Sequence, residues 1–166
     1  MSFSRYTVDP SHTPHDTIVV FLIGMHINAL WKPWLWIPVA LAMTRMLKEL
    51  AQKPNAGLLS IRGKGTTMVQ YWDSIESLHT YAADTSGQHY PAWANFNRKL
   101  RNNRKLRKTN AVGVWHETFV VHRSDLEAVY VNTPPEGLAK MLPTIPAHKG
   151  LSTAKQRLQA LPKTHA

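Results

Sequence analysis

The sequence predicts an α+β fold of the split βαβ, ferredoxin-like kind, with an antiparallel sheet covered by helices on one face. Three observations carry this. Two long β-branched and aromatic runs, near 17–28 and 111–121, have strand composition. A helical period separates the first run from a hairpin, and a second helical stretch separates the hairpin from the second run. The resulting order, strand, helix, strand, strand, helix, strand, is that of the split βαβ unit.

In order along the chain, residues 1–16 contain Pro10 and Pro14 without periodicity and read as an irregular arm. A strand follows from Thr17 to about Asn28, apolar enough to be buried on both faces. Trp31-Lys32-Pro33-Trp34-Leu35-Trp36-Ile37-Pro38 places prolines in a turn and then at a first helical position, predicting a helix from Pro38 to about Gln52. That helix has an apolar stripe and a basic side with Arg45 and Lys48. Leu58–Arg62 and Thr66–Trp72 read as a hairpin turning at Gly63-Lys64-Gly65. Asp73, with Glu76 three residues on, reads as the cap of a helix through Ala82, and a further helical piece starts near His89. Arg98–Lys108 reads as a helix end and an exposed loop.

The second long run is predicted to be a buried strand carrying ionisable groups, with His116 and Glu117 on opposite faces by alternation. His116 is assigned to the helix side. Glu117 is assigned to the other side, where Arg62 or its own mate across a dimer axis would partner it. Leu126–Asn132 reads as one more strand. The domain organisation is therefore an arm at 1–16, a core domain at 17–134, and an extended arm at 135–166 with a short helix around Thr153–Leu161. The uncovered sheet face calls for a partner, and a homodimer packed back to back is the economical answer.

Composition excludes several chemistries. With 166 residues and 43% hydrophobic content the chain can bury one core. No cysteine is present, which removes disulfides, thiolate nucleophiles and Cys-ligated metals and is compatible with a cytoplasmic location. The histidines lack the spacing of a zinc site, so no metal is assigned beyond a haem iron. Seven of the 20 Lys and Arg lie between Arg98 and Lys108, so the net charge of +10 is concentrated in peripheral elements and nucleic acid is not the expected partner. The apolar run 17–25 is shorter than the about 20 residues that cross a bilayer, and acidic and His residues precede it where a signal peptide would be basic.

Four motifs occur together: Trp31-Lys32-Pro33; Gln70-Tyr71-Trp72 before a helix start; His89-x-x-Ala92-Trp93-x-x-Phe96-Asn97; and Val112-Gly113-Val114-Trp115-His116-Glu117-Thr118. In these the chain resembles the monooxygenase af470-like family of the dimeric α/β-barrel superfamily, over about Thr17 to Leu138. The resemblance implies that superfamily's fold and one of its chemistries: cofactor-independent oxygenation of aromatic or polyketide-like molecules, haem-dependent aldoxime dehydration or peroxidation, or non-enzymatic small-molecule binding by a dimer.

For an oxygenase-like enzyme, a base must form an electron-rich substrate anion in a dry, apolar setting. His116 or His89 is the candidate base, and Gln70 or Asn97 the group that holds the oxyanion. Trp72, Trp93, Phe96, His26 and Trp31 are the candidate walls for a hydrophobic substrate. The expected cofactor is none. In the haem alternative His89 is the axial ligand and Arg45 and Lys48 pair with the propionates.

Overall fold

The computed structural model describes residues 4–13, 15–87, 89–102 and 110–160. The chain forms an α+β fold in which a four-stranded antiparallel sheet separates helices from a second, three-stranded sheet. The large sheet is built from β2 (Thr17–Ile27), β3 (Leu58–Lys64), β4 (Thr67–Trp72) and β5 (Val112–His122), in the order β3-β4-β2-β5. This is the strand order of the split βαβ unit, with β2 central because its run is the most continuously apolar. The helices are α1 (Pro33–Ala51), α2 (Ile75–Ala83), α3 (His89–Asn102) and, near the C-terminus, α4 (Ala154–Gln159).

Local chemistry sets the element ends. Pro33 opens α1, so the helix begins five residues before the predicted start and carries Pro38 inside it. Pro38 sits in the second turn, where its missing N–H leaves only the carbonyl of exposed Trp34 without its helical partner. Ser74, rather than Asp73, caps α2, and its hydroxyl accepts from the N–H of Ser77 at 3.1 Å. Gly65, with φ +68°, supplies the left-handed turn between β3 and β4.

The register divides the large sheet into two surfaces. Val19 and Trp72 pack with Leu50 of α1 and Leu78 and Tyr81 of α2. On the other surface Ile18, with half-buried Val20, Tyr71 and Val121, packs against Val8, Leu126, Leu138 and Leu142. These last residues belong to the terminal segments. Where the sequence predicts an irregular arm, β1 (Arg5–Val8) pairs antiparallel with both β6 (Tyr130–Val131) and β7 (Thr144–Pro146). The strand read over 126–132 is reduced to β6 and pairs with β1 instead of the large sheet. The helix expected around Thr153–Leu161 is α4, started by a Thr153–Gln156 capping box; Leu161 lies outside the described residues. Buried Arg157 of α4 reaches the carboxylate of Glu127 and the carbonyl of Leu151, tying the tail to this layer.

Strand β5 departs most from expectation. Its middle, Trp115 to Val120, is exposed, whereas the sequence predicts a buried strand. The cause is position. β5 is the edge strand, with one neighbour among the described residues, and its flank lies beyond the cover of either layer, leaving Phe119 49% and Val120 57% exposed. Glu117 consequently stands in solvent and needs no buried partner, and Arg62 pairs with Glu136 at 3.0 Å instead. Of the basic loop, residues 103–109 lie outside the described residues, while Arg98 and Arg101 are on α3. Among the described residues no helix is long and apolar enough to cross a membrane.

Candidate functional site

The strand register fixes which side chains face α1, α2 and α3. One row across the sheet is Ile61, Gln70, Phe21 and Thr118, and the next is Met68, Ile23 and His116. Trp72 and Val19 lie in a third row with Val120. His116 therefore occupies the helix-facing surface and Glu117 the opposite one, as alternation predicts.

This surface runs from a closed end to an open one. At the closed end Trp72 is fully buried, its ring 5.6 Å from that of Tyr81, and its indole N–H donates to Oε1 of Gln70 at 3.0 Å. Because an indole N–H can only donate, this bond turns the carboxamide so that its oxygen faces Trp72 and its NH2 group faces away. Gln70 is only 7% exposed, and among the described residues that NH2 group has no partner. No fully enclosed side-chain N or O among the described residues lacks a hydrogen bond, so the NH2 group is reached by solvent and does not face a sealed void. At the open end the His116 ring lies 5.5 Å from that of Phe21, tilted by 37°. His116 and Gln70 are separated by two strand spacings and two residues along the sheet, roughly 11–12 Å between backbones. They cannot act on one atom, and Phe21 lies between them on the same surface.

The remaining predicted residues are distributed as follows. Phe96 and Asn97 are half-buried on α3, each engaged by a neighbour. His89 and Trp93 are on the same helix, and their side chains lie outside the described residues. His26 is exposed and, paired with Gly113, lies on the opposite sheet surface. Trp31 is exposed in the turn before α1. Phe21 is absent from the sequence-based candidates, although the alternation that places Val19 on the helix side also places Phe21 there.

A polar cluster closes the far end of the helical layer. Lys53 after α1 bridges Glu49 at 2.8 Å and Asp84 at 3.1 Å, joining α1 to the turn between α2 and α3. The hydroxyl of Ser86 and then the Lys53 ammonium hold the Asp84 carboxyl down at about 2. Burial, with the nearby charges of Glu49 and Asp84, pushes the Tyr81 phenol well above its ordinary value. Tyr81 is therefore a neutral structural group at physiological pH.

A haem between α1 and the sheet would need cationic partners and an axial donor on that side. Arg45 and Lys48 are exposed and lie on the outward stripe of α1 with Trp34 and Leu41, while His116 is at the open edge. Arg45 and Lys48 thus do not face a haem on that side, and the side chain of His89, the expected axial ligand, lies outside the described residues. Among them, no group of three or more acidic or His side chains is placed to hold a metal ion.

Fold and site together define a helix-covered, ferredoxin-like domain with a largely apolar surface beneath its helices. The model of the monooxygenase af470-like family matches residues 18–138, and the chain belongs to that family. No curated protein matches it. Among solved structures it is similar to an aldoxime dehydratase (OxdRE) in complex with butyraldoxime, at 19% identity and a TM-score of 0.56, over 80% of this chain and 38% of that one. The chain thus spans well under half of that enzyme's length. It is also similar to a conserved protein of unknown function from Bacteroides thetaiotaomicron, described as a possible oxidoreductase, at 10% identity and a TM-score of 0.39, over 64% of this chain and all of that one.

Proposed function

We propose that this chain is an oxygenase-type enzyme acting on a hydrophobic, aromatic or polyketide-like small molecule held between the helices and the sheet. The observation that carries the reading is Gln70: a carboxamide more than nine-tenths buried, oriented by Trp72, with its donor end unpartnered among the described residues. A donor at this depth meets either water or a ligand, and an anionic oxygen on a ligand would satisfy it best. Family membership supports the same class of chemistry.

In this reading the substrate lies over Phe21. His116 takes a proton from an acidic C–H or phenolic O–H at the open edge, and the Gln70 NH2 group steadies the charge where conjugation delivers it. The electron-rich anion reduces dioxygen. For an activated methylene, one substrate and one dioxygen give one carbonyl product and one water. The carbon is oxidised and gives up both hydrogens, one oxygen atom becomes the carbonyl oxygen, and the other leaves as water with those two hydrogens.

The test is oxygen uptake with a panel of hydroxylated polycyclic aromatics. His116→Ala should depress turnover by about 10²-fold or more and remove the fall in activity at acid pH that a general base imposes. Gln70→Leu should depress it with little change in the pH profile. Unchanged uptake in both variants would overturn the assignment. So would a Soret band in protein expressed with a haem precursor.

We also propose that the chain works as a homodimer in which the exposed side of β5 is covered by a second copy. The support is physical: an 11-residue edge strand with exposed Trp115, Phe119 and Val120 is a surface that natural proteins rarely leave open.

A further inference from the structure

The exposed apolar side chains of the first helical region form one face. Leu30, Trp31, Trp34, Ile37 and Leu41 range from 40% exposed (Ile37) to 73% (Trp31). Trp34, Ile37 and Leu41 recur at i, i+3 and i+7, on the side of α1 turned away from the sheet. The sheet-facing side is different: Leu35, Val39, Met43, Met46 and Leu50 are half-buried or buried. The outward tryptophans are therefore not a share of the core that failed to close.

The patch is also held in place. The indole N–H of Trp36 donates to the carbonyl of Leu30 at 3.3 Å, and the N–H of Lys32 reaches the carbonyl of Ala29 at 3.1 Å. These bonds pin the turn bearing Leu30 and Trp31 against the start of α1. Beyond Leu41 the same stripe continues into exposed Arg45 and Lys48, and Lys32 stands at the other end. Between Ala29 and Lys48 there is no acidic residue, and the next residue, Glu49, is committed to Lys53.

We propose that this face of α1 docks on an anionic lipid surface, with Trp31, Trp34, Ile37 and Leu41 entering the headgroup–acyl boundary and Lys32, Arg45 and Lys48 meeting lipid phosphates. Apolar and aromatic residues on one helix face, flanked by cations, form the pattern of helices that lie in a membrane interface. Indole suits that boundary because its ring is apolar and its N–H is polar. A second copy is the poorer occupant: two such faces carry charge of the same sign and offer each other no carboxylate. The proposal does not depend on the oxygenase reading.

The experiment is co-sedimentation of the full chain with vesicles of phosphatidylcholine, alone or mixed with phosphatidylglycerol, at low and high salt. Light scattering on the same samples reads the oligomeric state. The protein should bind the mixed vesicles, and salt should weaken binding. Arg45→Glu with Lys48→Glu should weaken it at least about tenfold, from roughly fivefold per cation lost. Trp34→Ser with Leu41→Ser should do the same while leaving thermal unfolding unchanged, since both residues are exposed. Failure of the wild-type chain to bind anionic vesicles at low salt would overturn the proposal. Undiminished binding by the Trp34/Leu41 variant would also overturn it, because attraction would then arise from charge elsewhere. Conversion of a dimer to a monomer by that variant, without vesicle binding by the wild type, would identify the face as a subunit contact instead.

Discussion

The indole N–H of Trp72 donates to Oε1 of Gln70 at 3.0 Å, between residues two apart on β4 that share the helix-facing surface. The bond has a structural and a functional consequence, because it satisfies a fully buried indole and fixes which end of the carboxamide is left to meet a ligand. Trp72→Phe keeps an aromatic ring but deletes the donor, leaving the Gln70 oxygen buried without its partner. The expected cost is about 1–3 kcal/mol, towards the upper end because the smaller ring also leaves a void. Urea unfolding of the two proteins measures it. A loss much below 1 kcal/mol would mean that the amide finds a substitute partner.

Gly24 and Trp115 face each other across β2 and β5, and the indole lies where a side chain at position 24 would be. A Cβ there would fall 2.7 Å from the ring. Gly24→Ala should therefore displace Trp115, which is partly exposed and able to move, at a cost of about 1 kcal/mol. In Trp115→Ala the obstruction is gone, so Gly24→Ala in that background should cost nearly nothing. A double-mutant cycle reads the difference, and additive effects would refute the contact.

These two relationships also show what is legible in the sequence. Alternation along β5 places His116 and Glu117 on opposite surfaces, because side-chain direction in a strand is a local property. It does not report what covers each surface. Whether Glu117 is buried depends on β5 being the edge strand, which is set by the pairings Ile23↔His116 and Leu22↔Glu117 on one flank and no described strand on the other. The small sheet is illegible for a related reason: Arg5↔Val131 and Tyr6↔Pro146 join residues more than a hundred positions apart, in strands of two to four residues with too little sequence to show a period. The helices are legible to within a few residues because their stripes and caps are local. The start of α1 is the exception, since Pro33 and Pro38 both suit a first helical position and composition alone does not choose between them.

Asp84 offers a pH test of the helical layer. Its carboxyl is held at about 2 by the Ser86 hydroxyl first and Lys53 second, against about 3.9 in an unfolded chain. A depressed acid stabilises the fold above its unfolded value, and that contribution is lost as pH falls from about 3.9 through 2. The tie between α1 and the α2–α3 turn should thus survive mild acid and loosen only in that window. Carboxyl NMR titration should find Asp84 among the last aspartates to protonate. Ser86→Ala and Lys53→Met should each raise its midpoint, and a midpoint left unmoved by either would remove that group from the account.

The exposed flank of β5 yields the test of self-association. Phe119 lies on the surface turned away from the helices and Val120 on the surface facing them, both in a strand whose outer backbone groups have no partner strand among the described residues. If a second copy covers this region, Phe119→Lys should weaken the dimer strongly, since burying an unpaired ammonium costs several kcal/mol whereas exposing it costs nothing. Val120→Lys separates the modes of contact. Packing through the outward sheet surface alone would leave Val120→Lys dimeric, whereas edge-to-edge pairing, which brings both flanks of the strand together, would make both substitutions disruptive. Sedimentation equilibrium over a range of protein concentrations distinguishes these outcomes. A wild-type chain that stays monomeric throughout would remove β5 from the account of assembly, and its exposed aromatics would then need another partner.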